Sequence, residues 1–389
     1  MRIYLFSTKL NFKSAGGAVY DLDNKARGLT ELGHEVTVVT VFSRNNALSK
    51  ALPYKIVEEN IPYSGLLGIQ KDGYIILKKY ENKADIYYLD GTVFPYSGGL
   101  YKLLGGKLPI VSFYNMRLNC WRDPTANTAK ASFLKKIKQK LRFFIEHRFG
   151  VPIANKIDAF IFNTPHLGEV YYDFGYKKNK GNVIEDVIAT QDLINKYSIT
   201  PEWIAKHQSD DNKIIIYTAG RIYKEKGFDI LIKAFKLIEN KDKFKIIIGG
   251  TGPDENILFD LVKELGLEKY VEFIGWVAKE AVYENYKKAH IFVYPKWYIE
   301  YGAAIINEAM AFGLPCIIPA GGALEWLAEG GAMPYEQENY QNMADKIKQL
   351  ENKDLRLKLA LGSLAKAKKL DYKNLVVKLE KVMRLAVDK

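Results

Sequence analysis

Cysteine is scarce in this sequence, which has only two among its 389 residues. Cys120 and Cys316 cannot build a disulfide framework, so both are expected to be reduced, as in a cytoplasmic protein. No apolar run approaches the roughly 20 residues that a membrane-spanning helix needs. No histidine or cysteine cluster has the spacing of metal ligands. We therefore expect no transmembrane helix, no signal peptide, no bound metal ion and no cofactor.

The balance of charge favours an anionic partner. Lysine and arginine outnumber aspartate and glutamate by 57 to 45, which gives a formal net charge of +12. Such an excess suits nucleotide phosphates, nucleic acid or an acidic membrane surface. The length fits two domains of ordinary size, and a hydrophobic content of 48% is ample for their cores.

Short apolar runs alternate with segments of helical spacing, which is typical of doubly wound parallel sheets. The first strand, 2–7, leads into a loop that contains Gly16 and Gly17, and a helix and a second strand follow. A glycine loop at this turn can approach ligand phosphates, but it is not G-x-G-x-x-G and is also compatible with a plain tight turn. An NAD-dependent oxidoreductase is therefore disfavoured.

The chain loses its regular periodicity at residues 196–212, which contain Pro201 and a polar run. We place a hinge there, between an N-terminal domain at 1–195 and a C-terminal domain at 213–370. Residues 371–389 form a separate final helix.

Two glutamates lie around the start of a predicted helix in the second domain. An apolar strand, 289–294, leads into a loop closed by Glu300, and good helix formers follow from Ala303. Glu308 is eight residues after Glu300, so both carboxylates can point to one place beyond the carboxyl end of the strand. Open parallel sheets bind ligands at that edge, where free helix amides suit phosphate. The pattern predicts a nucleotide-sugar site, although such acids can also merely complement the helix dipole.

A basic loop follows the first strand of the second domain, 213–218. It begins Gly220-Arg221, ends Lys226-Gly227 and precedes a helix, and this combination forms an anion cradle. Arg221 can bind two phosphate oxygens at once, and Lys226 can add a point charge. An ordinary basic surface loop is the alternative.

The two motifs together resemble those of a known family. The pattern Pro-x-x-x-x-Glu-x-Gly with its second glutamate, and the spacing Gly-Arg-x-x-x-x-Lys-Gly, are similar to those of retaining glycosyltransferases of the GT-B fold. These are the enzymes related to glycogen synthase and the bacterial mannosyl- and glucosyltransferases, of glycosyltransferase family 4 type. The resemblance covers most of 213–330, and 1–195 in outline.

The resemblance implies a fold, a reaction and residue roles. The fold is two Rossmann-like domains whose parallel sheets face each other across a cleft, with the helix at 371–389 crossing back to the first domain. The reaction moves a sugar from a UDP- or GDP-sugar to a hydroxyl of a glycan or lipid-linked acceptor, as in cell-surface polysaccharide synthesis. Arg221, Lys226 and Glu300 are the implied catalytic residues, and Glu308 holds the ribose. The implied donor site comprises Gly16, Gly17, Arg221, Lys226, Val277, Glu300, Gly302, Ala303, Ala304 and Glu308.

The acceptor side departs from the family pattern. Many members carry a histidine after the strand equivalent to 109–114, and that place falls on Asn115, with Tyr114 as the other choice. Either can hydrogen-bond a sugar hydroxyl, but neither is a base at neutral pH as histidine is. Arg117 lies in the same loop and is a further candidate for contact with the acceptor.

A basic amphipathic helix is predicted at 133–149. It is compatible with an interfacial helix on an anionic bilayer, and also with a surface helix whose apolar stripe lies in the core. The first interpretation adds peripheral attachment to the inner face of the membrane. Nucleic acid is not an expected partner. An epimerase or hydrolase acting on nucleotide-sugars, or a non-catalytic nucleotide-sugar-binding protein, remains the alternative function.

Overall fold

The computed structural model describes residues 1–13, 17–48, 51–62, 65–118, 133–209, 213–296 and 301–389. The chain divides into two compact units, one of residues 1–188 with 372–389 and the other of residues 189–371. This division comes earlier than the hinge expected at 196–212. The reason is packing, because Leu193, Tyr197 and Ile204 are buried in the core of the second unit.

The first unit is built on a seven-stranded parallel sheet. Its strands are β1 (Arg2–Ser7), β2 (Glu35–Thr40), β3 (Lys55–Glu58), β4 (Ile86–Asp90), β5 (Ile110–Tyr114), β6 (Ala159–Phe162) and β7 (Gly181–Val183). Its helices up to the division are α1 (Gly17–Glu31), α2 (Gly65–Tyr80), α3 (Pro95–Leu103), α4 (Phe133–Ile145), α5 (Val151–Ala154) and α6 (Pro165–Asp173). The strand order is β3-β2-β1-β4-β5-β6-β7. The central strands are almost wholly buried, as expected when helices cover both faces of a parallel sheet.

The second unit repeats this plan with six parallel strands. They are β8 (Ile214–Ala219), β9 (Phe244–Gly249), β10 (Val271–Phe273), β11 (Ile291–Val293), β12 (Cys316–Pro319) and β13 (Ala332–Tyr335). The helices are α7 (Thr190–Lys196), α8 (Pro201–Gln208), α9 (Phe228–Lys236), α10 (Glu255–Glu264), α11 (Lys279–Lys288), α12 (Ala304–Ala311), α13 (Ala323–Leu327), α14 (Tyr340–Gln349) and α15 (Lys353–Lys369). The order is β10-β9-β8-β11-β12-β13, so the predicted doubly wound arrangement of both halves is confirmed.

The last helix, α16 (Tyr372–Val387), belongs to the first unit. It packs closely on α1, since a Cβ at Gly28 would lie only 2.7 Å from a methyl carbon of Val376. The Tyr372 hydroxyl donates to the carboxylate of Glu31 at 3.0 Å. Among the residues that the structure describes, no helix is both long enough and apolar enough to cross a bilayer.

Acidic groups collect at the carboxyl edge of the first sheet, where the strand order reverses between β1 and β4. Ser7 ends β1 and donates to Asp90, at the end of β4, at 3.2 Å. Asp21 and Lys25 on α1 form a buried ion pair of 2.6 Å beside them. Burial, together with the charge of Asp21, raises the pKa of Asp90 to about 6, although Lys25 opposes the shift. This edge therefore holds a carboxylate that is costly to ionise.

We expect Asp90→Asn to stabilise the protein at alkaline pH. The pKa of Asp90 is 3.8 in the absence of the fold and about 6 within it, so the folded state holds an extra proton across that interval. Stability is then lost as pH rises through the interval, and removing the carboxylate should restore up to about 3 kcal/mol at pH 8, at about 1.4 kcal/mol for each unit of the shift. Urea unfolding at pH 5 and pH 8 measures the effect. Asp173→Asn, an exposed site on α6, is the control. The prediction is contradicted if Asp90→Asn gains no more free energy of unfolding over the wild type at pH 8 than it does at pH 5.

Candidate active site

The strand order of the second unit reverses between β8 and β11. These strands lie side by side, with Ile216 opposite Ile291 and Tyr217 opposite Phe292. The chain leaves both strands at the same edge of the sheet and then turns to opposite faces. Open parallel sheets bind ligands in the crevice that forms at such a point.

A glycine brings the loops after β8 and β11 together. Gly227 has a φ of +70°, and a Cβ there would lie 1.9 Å from the carbonyl oxygen of Pro295. Only glycine permits both that backbone conformation and that approach. Lys226 precedes Gly227 and Lys296 follows Pro295 in sequence, so this close approach brings both lysines to the same crevice.

The loop after β9 supports the basic loop from the other side. A Cβ at Gly250 would lie 1.9 Å from the Gly220 carbonyl oxygen, and one at Gly252 would lie 2.0 Å from that of Ile222. The backbone N–H of Lys224 donates to Asp254 at 2.7 Å. The backbone that carries Arg221 is therefore held on both sides before any ligand binds.

The two predicted cations of this loop have no protein counter-charge among the described residues. The guanidinium of Arg221 is 5.6 Å from the Tyr223 ring, and Lys226 Nζ is 5.8 Å from the Tyr294 ring. Neither side chain forms an ion pair with another residue that the structure describes. Burial and the charge of Arg221 lower the pKa of Lys226. Arg221 is exposed, whereas Lys226 is half-buried. Two neighbouring cations without a described counter-charge, one of them half-buried, mark an anion site.

Lys296 is a third basic residue at the same place, and the sequence motifs did not identify it. Its side chain is almost wholly buried, with 1% of the residue exposed. Burial and the nearby charge of Lys226 lower the pKa of Lys296 to about 6. The sequence feature that could have identified it is a lysine two residues after the apolar strand 289–294, inside the motif that begins at Pro295.

Glu308 lies one turn inside α12, where its side chain is 11% exposed. It accepts a hydrogen bond from Lys279 Nζ at 2.8 Å, and Lys279 begins α11 and was also missed. Burial and the charge of Glu308 raise the pKa of Tyr217. The Tyr217 hydroxyl is buried and has no hydrogen-bond partner within the described part of the chain. The carboxylate of Glu308 is thus oriented by a lysine, in a setting with unused hydrogen-bonding capacity.

The other donor-site candidates fall into three groups. Gly302, Ala303 and Ala304 lie at the start of α12, as predicted. Val277 reaches the edge of the same sheet, since its Cγ2 would be 3.0 Å from a Cβ at Gly249. Gly17 begins α1 in the first unit, whereas Gly16 and Glu300 lie outside the described residues.

The acceptor-side candidates occupy different surroundings at the end of β5. Tyr114 is fully buried, and its ring packs within 4.5 to 6.2 Å of the rings of Phe160, Phe162, Tyr171 and Tyr176. Its ring therefore lies in the core of the first unit. Asn115 and Arg117 follow the strand and are partly exposed.

Two family models match the chain. The model described as "Glycosyl transferases group 1" matches residues 199–368, and "Glycosyltransferase Family 4" matches residues 15–191. The chain belongs to the glycosyltransferases of family 4 type. The two matches correspond closely to the two units. The basic loop and Glu308 both lie within the match to residues 199–368, in the second unit.

Several curated relatives align with parts of this chain. Mannosylfructose-phosphate synthase of Agrobacterium fabrum is 30% identical over 182 residues, which is 44% of this chain and 40% of that protein. An uncharacterized glycosyltransferase of Methanocaldococcus jannaschii is 35% identical over 30% of this chain and 29% of its own. The chain therefore spans less than half of these two relatives. Alpha-monoglucosyldiacylglycerol synthase of Acholeplasma laidlawii is 24% identical over 85% of this chain and 83% of that protein.

Solved structures share the fold along the whole chain. Anabaena HepE in complex with UDP has a TM-score of 0.74 at 18% identity and covers 99% of this chain and 100% of its own. Sucrose-phosphate synthase of Thermosynechococcus elongatus has the same TM-score at 17% identity, covering 99% and 98%. The predicted GT-B fold is confirmed by these neighbours.

Gly227→Ala should destabilise the second unit and open the crevice. Both this glycine and Gly266 have positive φ, at +70° and +65°, but a Cβ at Gly266 meets nothing within 4 Å. Gly266→Ala should therefore cost only the backbone strain, about 1 kcal/mol. Gly227→Ala must also displace the Pro295 carbonyl and should cost at least about 2 kcal/mol more. Chemical unfolding of both variants measures the difference, and equal losses would contradict the close approach.

Proposed function

We propose that this glycosyltransferase moves a sugar from a UDP- or GDP-sugar to a hydroxyl of a glycan or lipid-linked acceptor, with retention at the anomeric carbon, in cell-surface polysaccharide synthesis. The observation that carries the proposal is one of topology: the loop of Arg221 and Lys226 follows β8, the helix of Glu308 follows β11, and the strand order reverses between these two strands. Cations suit a diphosphate and the carboxylate suits hydroxyls, and a nucleotide-sugar has both.

Charge stabilisation is the main chemical contribution of the site. When the bond between the sugar and the diphosphate breaks, negative charge develops on the leaving phosphate oxygens. Arg221 and Lys226 offset that charge, in a crevice where partial burial strengthens the interaction. The amide groups at the start of α12, from Ala303 onward, add dipoles of the same sign. In this proposal no metal ion is needed to carry the diphosphate.

Glu308 is assigned to the ribose hydroxyls. A carboxylate accepts hydrogen bonds from two neighbouring hydroxyls, and the Lys279 ammonium 2.8 Å away holds one of its oxygens in place. Lys279 is in this view a positioning residue. Glu300 is proposed to border the donor sugar.

Retention is proposed without a protein base. Asn115 stands where many family members have histidine, and it cannot accept a proton at neutral pH. The acceptor proton then passes to an oxygen of the departing phosphate, as the acceptor oxygen bonds to the anomeric carbon on the face that the phosphate leaves. Uridine is the better-supported base, because Anabaena HepE, which has the same fold, is also solved with UDP-glucose.

Substitutions at the crevice should separate binding from chemistry. Arg221→Ala or Lys226→Ala should lower the transfer rate about a hundred-fold or more, the usual effect of losing a charge-stabilising group. Glu308→Ala should chiefly raise the KM for the donor. Lys233→Met, an exposed lysine paired with Asp229 on α9, is the control.

Steady-state transfer from UDP- and GDP-sugars measures these effects, after thermal-shift screening has identified the donor. Wild-type turnover in both basic-loop variants would refute the assignment. Release of free sugar without an acceptor, or donor binding with no turnover at all, would favour the hydrolase or the non-catalytic alternative.

An anionic membrane surface is the proposed site of action. Ile137, Leu141 and Phe144 are spaced to share one face of α4 and are 46%, 56% and 59% exposed. Lys138 and Arg142 lie on the same helix. Exposed apolar side chains beside cations suit an interfacial helix better than one whose stripe is buried in the core. The Acholeplasma relative, named for synthesis on a diacylglycerol lipid, is consistent with a lipid-linked acceptor.

Replacing Leu141 and Phe144 together by serine should weaken vesicle binding about tenfold or more, since both apolar contacts with the bilayer are lost. Leu104→Ser, at a residue 57% exposed after α3, is the matched control. Co-sedimentation with phosphatidylglycerol and phosphatidylcholine vesicles measures the effect. Equal binding by the double variant and the wild type, or equal binding to both lipids, would rule this surface out.

A further inference from the structure

Polar side chains from three strand ends and from α1 gather at the carboxyl edge of the first sheet. Asp90 ends β4, whereas Asn163 and Asp186 follow β6 and β7. The amide nitrogen of Asn163 donates to Asp186 at 3.2 Å. Asp21, on α1, accepts a hydrogen bond from the backbone N–H of Val187 at 2.6 Å, which ties the helix to the segment after β7. Side chains from four distant segments are thereby held at one place.

Negative charge exceeds positive charge in this cluster. The charges of Asp21 and Asp90 both act on Asp186, so the three carboxyl groups are neighbours. Lys25 is already engaged, since its Nζ lies 2.6 Å from Asp21 and 3.2 Å from the centre of the Phe113 ring. Asp90 and Asp186 form no ion pair with any residue that the structure describes. Both are partly exposed, so a ligand can reach them.

Two buried side chains at the same place have unused hydrogen-bonding atoms. Oδ1 of Asn163, a residue 1% exposed, and the hydroxyl of the fully buried Tyr88 have no partner within the described part of the chain. Tyr88 lies on the same face of β4 as Asp90, and its ring centre is 5.6 Å from Lys25 Nζ. Oδ1 of Asp186 is a third atom of this kind. Buried polar atoms are normally hydrogen-bonded, so these atoms mark a place for the donor groups of a ligand.

We propose that this edge is the acceptor subsite of the enzyme and that it selects an acceptor carrying a primary amine, as an amino sugar does. The inference rests on the proposed function, which requires a hydroxyl-bearing acceptor. An ammonium group brings one positive charge and three N–H donors, which suit the carboxylates of Asp90 and Asp186 and the amide oxygen of Asn163. A hydroxyl in its place brings one donor and no charge. Because an ammonium has no lone pair, the amine anchors the acceptor and one of its hydroxyls takes the sugar.

Glucosamine, glucose and N-acetylglucosamine are suitable probes, because only glucosamine carries an ammonium group at neutral pH. Their binding to the full-length protein is measured by saturation-transfer NMR titration at pH 7. The wild type should bind glucosamine about tenfold or more tightly than the other two sugars, since charge-assisted hydrogen bonds are stronger than neutral ones. Asp90→Asn and Asp186→Asn each remove one charge and keep the shape of the side chain. Each should reduce the preference about threefold or more.

The matched control is Asp173→Asn, at the exposed site on α6, which should keep the wild-type preference. The inference is overturned if the wild type binds the three sugars equally, or if the preference survives in both Asp90→Asn and Asp186→Asn. Equal loss of the preference in the control, or transfer that favours glucose over glucosamine, would also overturn it. If one of the two variants does not fold, the other decides.

Thermal shifts with UDP, GDP and ADP, measured in parallel, separate this inference from the proposed function. Binding of one of these nucleotides without any preference for glucosamine refutes the inference alone. Binding of none of the three refutes the proposed function, and the assignment of this edge to an acceptor falls with it.

Discussion

Positive charge gathered where the strand order reverses is the feature on which the candidate site of the second unit depends. Arg221 and Lys226 form no ion pair with another described residue, and Lys296 is buried next to them. Partial burial of the Lys226 ammonium costs free energy, and an anion bound in the crevice would offset that cost. The close approach of Gly227 to Pro295 maintains this arrangement, because it keeps two loops together whose side chains repel each other.

The topology decides where this charge can be concentrated. Strands β8 and β11 are adjacent in the sheet although β9, β10 and three helices lie between them in sequence. Their loops leave the same edge, and the following helices, α9 and α12, direct their amino ends to it. The buried Tyr217 hydroxyl and the Lys279–Glu308 pair extend the crevice with groups that suit hydroxyls rather than phosphate.

The two units use one architecture for opposite electrostatics. In the first unit the edge where the strand order reverses carries Asp90, next to the Asp21–Lys25 pair, whereas the corresponding edge of the second unit carries the basic loop. In the proposed reaction this difference is useful. Carboxylates accept hydrogen bonds and so suit a substrate rich in hydroxyls, whereas cations suit the leaving diphosphate.

The sequence by itself determined the doubly wound plan and the two motifs of the donor crevice. Apolar runs, helical spacing and the fixed intervals around Arg221 and Glu308 are local features, so they can be read along the chain. Only the tertiary structure decided that Lys296 and Lys279 join the crevice, that Tyr114 packs among aromatic rings, and that 189–212 belong to the second unit. These outcomes depend on which distant segments meet, and burial and electrostatic coupling between such segments leave no periodic signal in the sequence.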